Sequence, residues 1–144
     1  LHGWQTAQYV FERYKKGEKA VGPRVLLTGE VAAIPGALAE AAAVRLVRDL
    51  VNTPAEDMGP AALEEAVETL ARRHKAAVQT ARGDALEREY PMVHAVGRAA
   101  ARSHAPRLMH LVWGQESDPV LAIVGKGVCF DSGGLDIKPA SGML

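Results

Sequence analysis

Residues able to do chemistry crowd into one stretch, Val124-Gly-Lys-Gly-Val-Cys-Phe-Asp-Ser-Gly-Gly-Leu-Asp-Ile-Lys-Pro139. It holds four glycines, two aspartates and two lysines in sixteen residues. Asp131 is a hard oxygen donor suited to a divalent cation, and Lys126 precedes it by five residues. A lysine joins a metal site only as the neutral amine, and burial beside a dication favours loss of its proton. Lys138 follows seven residues after Asp131. Spacing alone leaves two readings open: part of a metal site, or a Lys126–Asp131 ion pair inside a glycine-rich turn. Gly125, Gly127, Gly133 and Gly134 would let the backbone take unusual angles or approach a ligand closely.

Other chemistries fail on the same residues. A phosphate loop needs Gly-x4-Gly-Lys-Ser/Thr, but Lys126 is followed by Gly127 and position 120 is Val. Asp131-Ser132-Gly133-Gly134 lacks the glycine before serine that a nucleophile elbow requires. The five histidines, at 2, 74, 94, 104 and 110, contain no His-Glu-x-x-His pair. Cys129 and Ser132 have no base nearby in sequence and are read as non-nucleophilic, and Asp136 as a supporting or surface group. His74 lies on an apolar stripe and is expected to be packed, while His94 and His110 carry no assignment.

The elements that must position this stretch are those of an α/β chain. Val120-Leu-Ala-Ile-Val124, between Pro119 and Gly125, is an apolar run suited to a central strand covered on both faces. In α/β sheets ligands gather beyond the carboxyl ends of strands, where the glycine-rich stretch begins. Helical spacing predicts a helix over Trp4–Lys16 and a long one over Ala37–Asn52, the latter stopped by Thr53-Pro54. On the long helix Ala39, Ala43, Val44, Leu46, Val47, Leu50 and Val51 share one arc, broken by Glu40. A further helix begins at Pro60, with Leu63, Val67, Leu70 and His74 as its apolar stripe and Glu68 spaced to pair with Arg72. A turn is expected over 17–19, strands over 23–28, 77–80 and 108–113, and short helices over 84–90 and 92–101. The alternation of helix and strand indicates a layered α/β fold.

Composition limits the classes. With 144 residues, 48% hydrophobic and 24% charged, the chain is neither disordered nor fibrous in type. Seventeen basic and seventeen acidic residues give no overall attraction to nucleic acid or an anionic membrane. No run reaches the roughly 18 apolar residues of a membrane span. One cysteine excludes an internal disulfide and suits a reducing, cytoplasmic setting. No basic-then-apolar leader opens the sequence, so nothing in it indicates secretion.

Gly125 to Lys138 resembles the first signature of the leucyl (cytosol) aminopeptidase family, a group of two-metal exopeptidases. Asp49-Leu-Val-Asn-Thr-Pro-Ala-Glu-Asp-Met58 resembles that family's entry to the catalytic domain. Val96-Gly-Arg-Ala99 and Pro106-Arg-Leu108 resemble further blocks, and Trp4 to Tyr14 is similar to the last helix of its amino-terminal domain. The resemblance implies an α/β/α layered, mixed-sheet catalytic domain. It divides the chain into 1–34 (end of the amino-terminal domain), 35–53 (connecting helix) and 54–144 (first part of the catalytic domain). By position Lys126 corresponds to a metal-ligand lysine and Asp131 to a carboxylate shared by two metal ions. Lys138 corresponds to the catalytic lysine that polarises the scissile carbonyl. The implied reaction removes amino-terminal residues from peptides by water attack at two divalent metals, Zn or Mn, with Co or Mg as alternatives. A homo-oligomer, hexameric in the family, is implied as well.

The family's remaining ligands, an Asp beyond position 144 and an Asn-Thr-Asp-Ala-Glu-Gly-Arg segment, do not occur here. The sequence is therefore expected to be a fragment, inactive by itself. Two other readings compete. One is a non-enzymatic DNA-binding or architectural relative, supported only by the local Arg72-Arg73-His74-Lys75 cluster and opposed by the balanced charge. The other is a packing module whose glycine loop is merely a tight turn.

Overall fold

The computed structural model describes residues 1–17 and 24–143. The turn expected over 17–19 and the Pro23 start of the next expected strand reach outside those residues. Two compact units divide the chain, Leu1–Pro54 and Ala55–Leu144.

The first unit contains α1 (His2–Thr6), a 3-10 turn (Val31–Ala33) and α2 (Ile34–Asn52). Pro35 stands in the first turn of α2, where a missing N–H costs nothing. The helix stops as expected: Thr53 turns extended (φ −80°, ψ 120°) before Pro54. Its hydroxyl donates to the Asp49 carbonyl at 2.6 Å and is itself buried. Of the apolar arc, Val44, Leu46 and Leu50 are half-buried, whereas Val47 and Val51 are exposed.

The helix expected over Trp4–Lys16 is much shorter. Thr6 Oγ1 donates to the Gly3 carbonyl at 3.1 Å and Gln8 Nε2 to the Trp4 carbonyl at 3.2 Å, so side chains take up the last carbonyls of α1. Beyond that point Tyr9 is committed elsewhere. Its hydroxyl donates to Asp49 at 2.8 Å and accepts from Asn52 at 3.1 Å, while Arg48 and Arg45 lie over its ring at 5.3 and 5.8 Å. Tertiary bonds to the end of α2 outweigh the local helical pattern. Residues 24–28 form no strand.

The second unit is built on α3 (Pro60–His74), β1 (Ala77–Arg82), α4 (Gly83–Glu89), α5 (Pro91–Gly97), a 3-10 turn (Arg102–His104) and β2 (Arg107–Val112). A last 3-10 turn covers Ala140–Gly142. The strands pair antiparallel, from Ala77 opposite Val112 to Arg82 opposite Arg107. Leu86 on α4 is fully buried and Ala71 on α3 nearly so. The expected 92–101 helix ends at Gly97, whose absent Cβ would stand 2.5 Å from the Pro106 ring. Glu68 and Arg72 pair at 3.7 Å, as their spacing predicts. His74, expected to be packed, is exposed: it is the last residue of α3, just before Lys75 turns left-handed at φ 56°.

The apolar run Val120–Val124 departs most from expectation. It pairs with no strand among the described residues, and Val120, Leu121, Ile123 and Val124 are 84–94% exposed. A strand buried on both faces needs neighbours on each side. The described residues supply none.

Glu64 is the unexpected centre of the second unit. It stands near the α3 N-terminus and is only 5% exposed. Its carboxylate receives Arg82 through Nε at 3.1 Å and through a close contact from the second guanidinium nitrogen. Arg107 donates to the same carboxylate at 2.8 Å and to the Ala105 carbonyl at 3.2 Å. Arg82 and Arg107 face each other across the ladder, where like charges repel. Glu64 turns that repulsion into a clamp. Burial alone would raise the Glu64 carboxyl. Hydrogen bonds from Arg82 and Thr80, with the charges of Arg82 and Arg107, reverse that and hold it below its ordinary value of 4.5.

Replacing Glu64 by Ala would leave the nearly buried Arg107 guanidinium without its carboxylate and cost about 3 kcal/mol. Urea unfolding should show that loss, and a loss under 1 kcal/mol would contradict the clamp. The depressed folded value also fixes a pH dependence. Stabilisation by Glu64 is complete above the ordinary carboxyl value and disappears as pH falls through the lower folded value. The unfolding midpoint should therefore fall more steeply with acid below pH 4.5 than in Glu64→Gln.

Candidate metal and catalytic site

The stretch from Gly125 to Lys138 folds back on itself around Asp131. One carboxylate oxygen, Oδ1, accepts the backbone N–H of Gly133 at 2.9 Å. The other, Oδ2, lies 3.1 Å from Lys138 Nζ. The loop is closed by the Lys138 N–H, which donates to the Ser132 carbonyl at 2.9 Å. Gly133 (φ 93°) and Gly134 (φ 66°) make the reversal, in the left-handed region that side chains seldom enter.

This geometry sorts the candidates. Asp131 and Lys138 are brought together, half-exposed, as an anion and a cation in direct contact. The alternative Lys126–Asp131 ion pair is not formed, because Asp131 pairs with Lys138. Lys126 is exposed at the start of the loop, and its charge acts on Asp131 only from a distance. The Gly133 N–H holds the Asp131 carboxyl below its usual range, helped by the Lys138 hydrogen bond and by both ammonium charges. Asp131 is thus a fixed carboxylate at neutral pH. Cys129 is half-buried and burial pushes its thiol up, against the opposing charge of Arg107, which suits a non-nucleophilic role. Ser132 serves the loop through its carbonyl.

The donor set bears on divalent metal binding. An ammonium at Oδ2 shows that this oxygen faces a position that accepts positive charge, and a carboxylate with an amine is a chemically sound pair of donors. Among the described residues, however, no three His, Cys, Asp or Glu side chains converge. Lys126 and Asp131 are of donor types that suit a divalent metal, and the described residues complete no metal site.

Sequence reasoning missed the supports of this loop. Gly127 needs no positive φ; instead, a Cβ there would stand 2.6 Å from Cδ2 of Leu63 on α3. Leu63 was assigned only to an apolar stripe. The cross-strand facing of two arginines was the signal that could have found Glu64, but it requires the strand register. Gly133→Ala should break the reversal, since its Cβ would meet the Asp136 carbonyl and lie 3.1 Å from the Lys138 nitrogen. A cost of about 1–3 kcal/mol is expected. Amide exchange at Lys138 should accelerate markedly, whereas unchanged protection would contradict the closed turn.

Comparison with known proteins places these features in context. The catalytic domain of the Cytosol aminopeptidase family matches residues 45–144. A probable cytosol aminopeptidase of Leifsonia xyli subsp. xyli is 38% identical over all of this chain, which spans 31% of that protein. The crystal structure of a cytosol aminopeptidase from Coxiella burnetii is 41% identical, with a TM-score of 0.90 over 99% of this chain and 30% of that one. The bottromycin maturation enzyme BotP, solved in complex with Mn, is 33% identical, with a TM-score of 0.83 over 97% of this chain and 30% of that one. The chain thus spans about 30% of the length of these relatives. Its mixed α/β architecture, its glycine-rich loop and this match together show that the chain belongs to the cytosol aminopeptidase family.

Proposed function

We propose that the full-length protein carrying this sequence is a metal-dependent aminopeptidase that releases amino-terminal residues from peptides. The observation that carries the reading is the Asp131–Lys138 contact, which sets an ionised carboxylate and an ammonium side by side in a glycine-closed loop. Lys126 as a neutral amine and Asp131 as a carboxylate would hold divalent metal, Zn or Mn, with further donors outside the described residues. When bound, two such ions would supply Lewis-acid activation of the attacking water. Lys138, an ammonium on a flexible stem, would turn to the scissile carbonyl and offset the negative charge that develops on its oxygen. The Lys138 N–H, bonded to the Ser132 carbonyl, would keep the backbone in place as the side chain turned.

The same reading assigns 1–34 to the end of an amino-terminal domain, 35–53 to a connecting helix and 54–144 to the first part of the catalytic domain. It makes the protein a cytoplasmic homo-oligomer, hexameric by resemblance. Support for that setting comes from relatives named for the cytosol.

The roles separate experimentally. Lys126→Ala and Asp131→Ala in the full-length protein should each weaken Mn binding by at least tenfold in a direct titration. Lys138→Ala should keep metal affinity within a few-fold while lowering kcat by two or more orders of magnitude on an aminoacyl amide. Peptide-amide hydrolysis by the 144 residues alone should be undetectable with added Zn or Mn. Brisk turnover by those residues, or full Mn affinity in Asp131→Ala, would overturn the assignment.

A further inference from the structure

Among the described residues Lys126 opens the loop without an ion pair of its own, so something else must fix where its amine points. The residue after it, Gly127, lies under Leu63. A methyl of Leu63, Cδ2, would be 2.6 Å from a Cβ at that position. That distance is well inside van der Waals contact, so the glycine backbone and the leucine side chain occupy adjoining space with no gap between them. Leu63 itself is held by its helix. It lies in the first turn of α3, immediately before Glu64, whose carboxylate is clamped by Arg82 and Arg107. Leu63 is therefore carried on an anchored turn, and the exposed run that precedes Lys126 offers no comparable anchor among the described residues.

We infer that Leu63 is a positioning residue for Lys126: its side chain, seated on Gly127, sets the backbone from which the lysine amine is presented to metal. This rests on the aminopeptidase reading above and adds to it a residue outside the signature loop. Groups that orient a metal ligand without touching the metal typically change affinity by about 10–100-fold when removed. A packed methyl against a glycine can act in this way because the glycine has no side chain of its own to resist displacement.

The test is a direct Mn titration of the full-length protein, read as loss of the free-ion electron paramagnetic resonance signal. Leu63→Ala should weaken binding by about 10–100-fold. Leu63→Met, which keeps the volume, should stay within about threefold of wild type. Leu70→Ala makes the same truncation farther along α3 and should bind as wild type does. If Leu63→Ala folds poorly, Gly127→Ala probes the same contact from the other side. Its methyl forces Leu63 or the loop to shift and should weaken Mn binding. The two alanines combined should fall short of the sum of their separate effects. Wild-type affinity in Leu63→Ala, an equal loss in Leu70→Ala, or additive effects in the double variant would overturn this role alone. Failure of the wild-type protein to bind Mn would overturn the aminopeptidase reading and this role together.

Discussion

One buried carboxylate organises the second unit. Glu64 is 5% exposed and sits between two guanidinium groups that the β1–β2 register places face to face. Desolvating a lone carboxylate costs several kcal/mol, and the cost is met here only because both its oxygens receive charge-assisted hydrogen bonds. Each member depends on the others. Without Glu64 the arginines repel, and without Arg107 the carboxylate loses its more deeply buried partner. The clamp ties the first turn of α3 to the far end of the sheet. Leu63, the neighbour of Glu64, then reaches Gly127, so the candidate metal loop is joined to the same anchor.

Legibility in the sequence followed the range of the interactions. The stop of α2 and the start of α3 were readable because proline acts on its immediate neighbours: Pro54 forbids helix at Thr53, and Pro60 opens α3, whereas α2 begins at Ile34, three residues ahead of the expected Ala37. The Glu68–Arg72 pair was readable for the same reason. The early end of α1 was not, since it depends on Tyr9 reaching Asp49, forty residues away. Nor was the burial of Glu64, which depends on partners 18 and 43 residues distant. The chemistry of the loop was legible in kind, as a carboxylate and two lysines among glycines. Its pairing was not: spacing allowed Lys126 as the partner of Asp131, and the backbone reversal at Gly133 and Gly134 selected Lys138.

Two sequence blocks that looked independent meet in space. Gly97, in the Val96–Ala99 block, closes α5 directly against Pro106, which opens the Pro106–Leu108 block. A glycine is required because a Cβ would collide with the ring, and the proline is useful because it cannot extend the preceding turn. The contact delivers the chain into β2 one residue before Arg107. The two blocks are thus one device for bringing the second arginine to Glu64. A similar economy holds at the end of α2, where Asp49 takes the Tyr9 hydroxyl on its side chain and the Thr53 hydroxyl on its carbonyl.

The charge balance of the loop decides what more a metal site here would need. Asp131 is one anion in contact with the Lys138 ammonium and within the field of a second, Lys126. Like charges repel, so adding a dication without further anions would be opposed. For the proposed site to fill, Lys126 would enter as the neutral amine and Lys138 would yield Oδ2 of Asp131. Both changes become favourable only when other carboxylates share the positive charge. The exposed Val120–Val124 run makes the same demand in apolar terms. Four of its side chains are bare in a segment that leads directly into Lys126. Covering such a run by neighbouring strands would bury apolar surface at roughly 25 cal/mol per Å² and would fix the direction in which Lys126 leaves the sheet. The loop therefore brings its own turn and one anchored contact through Leu63, while strand direction and charge neutrality must both come from chain packed around it.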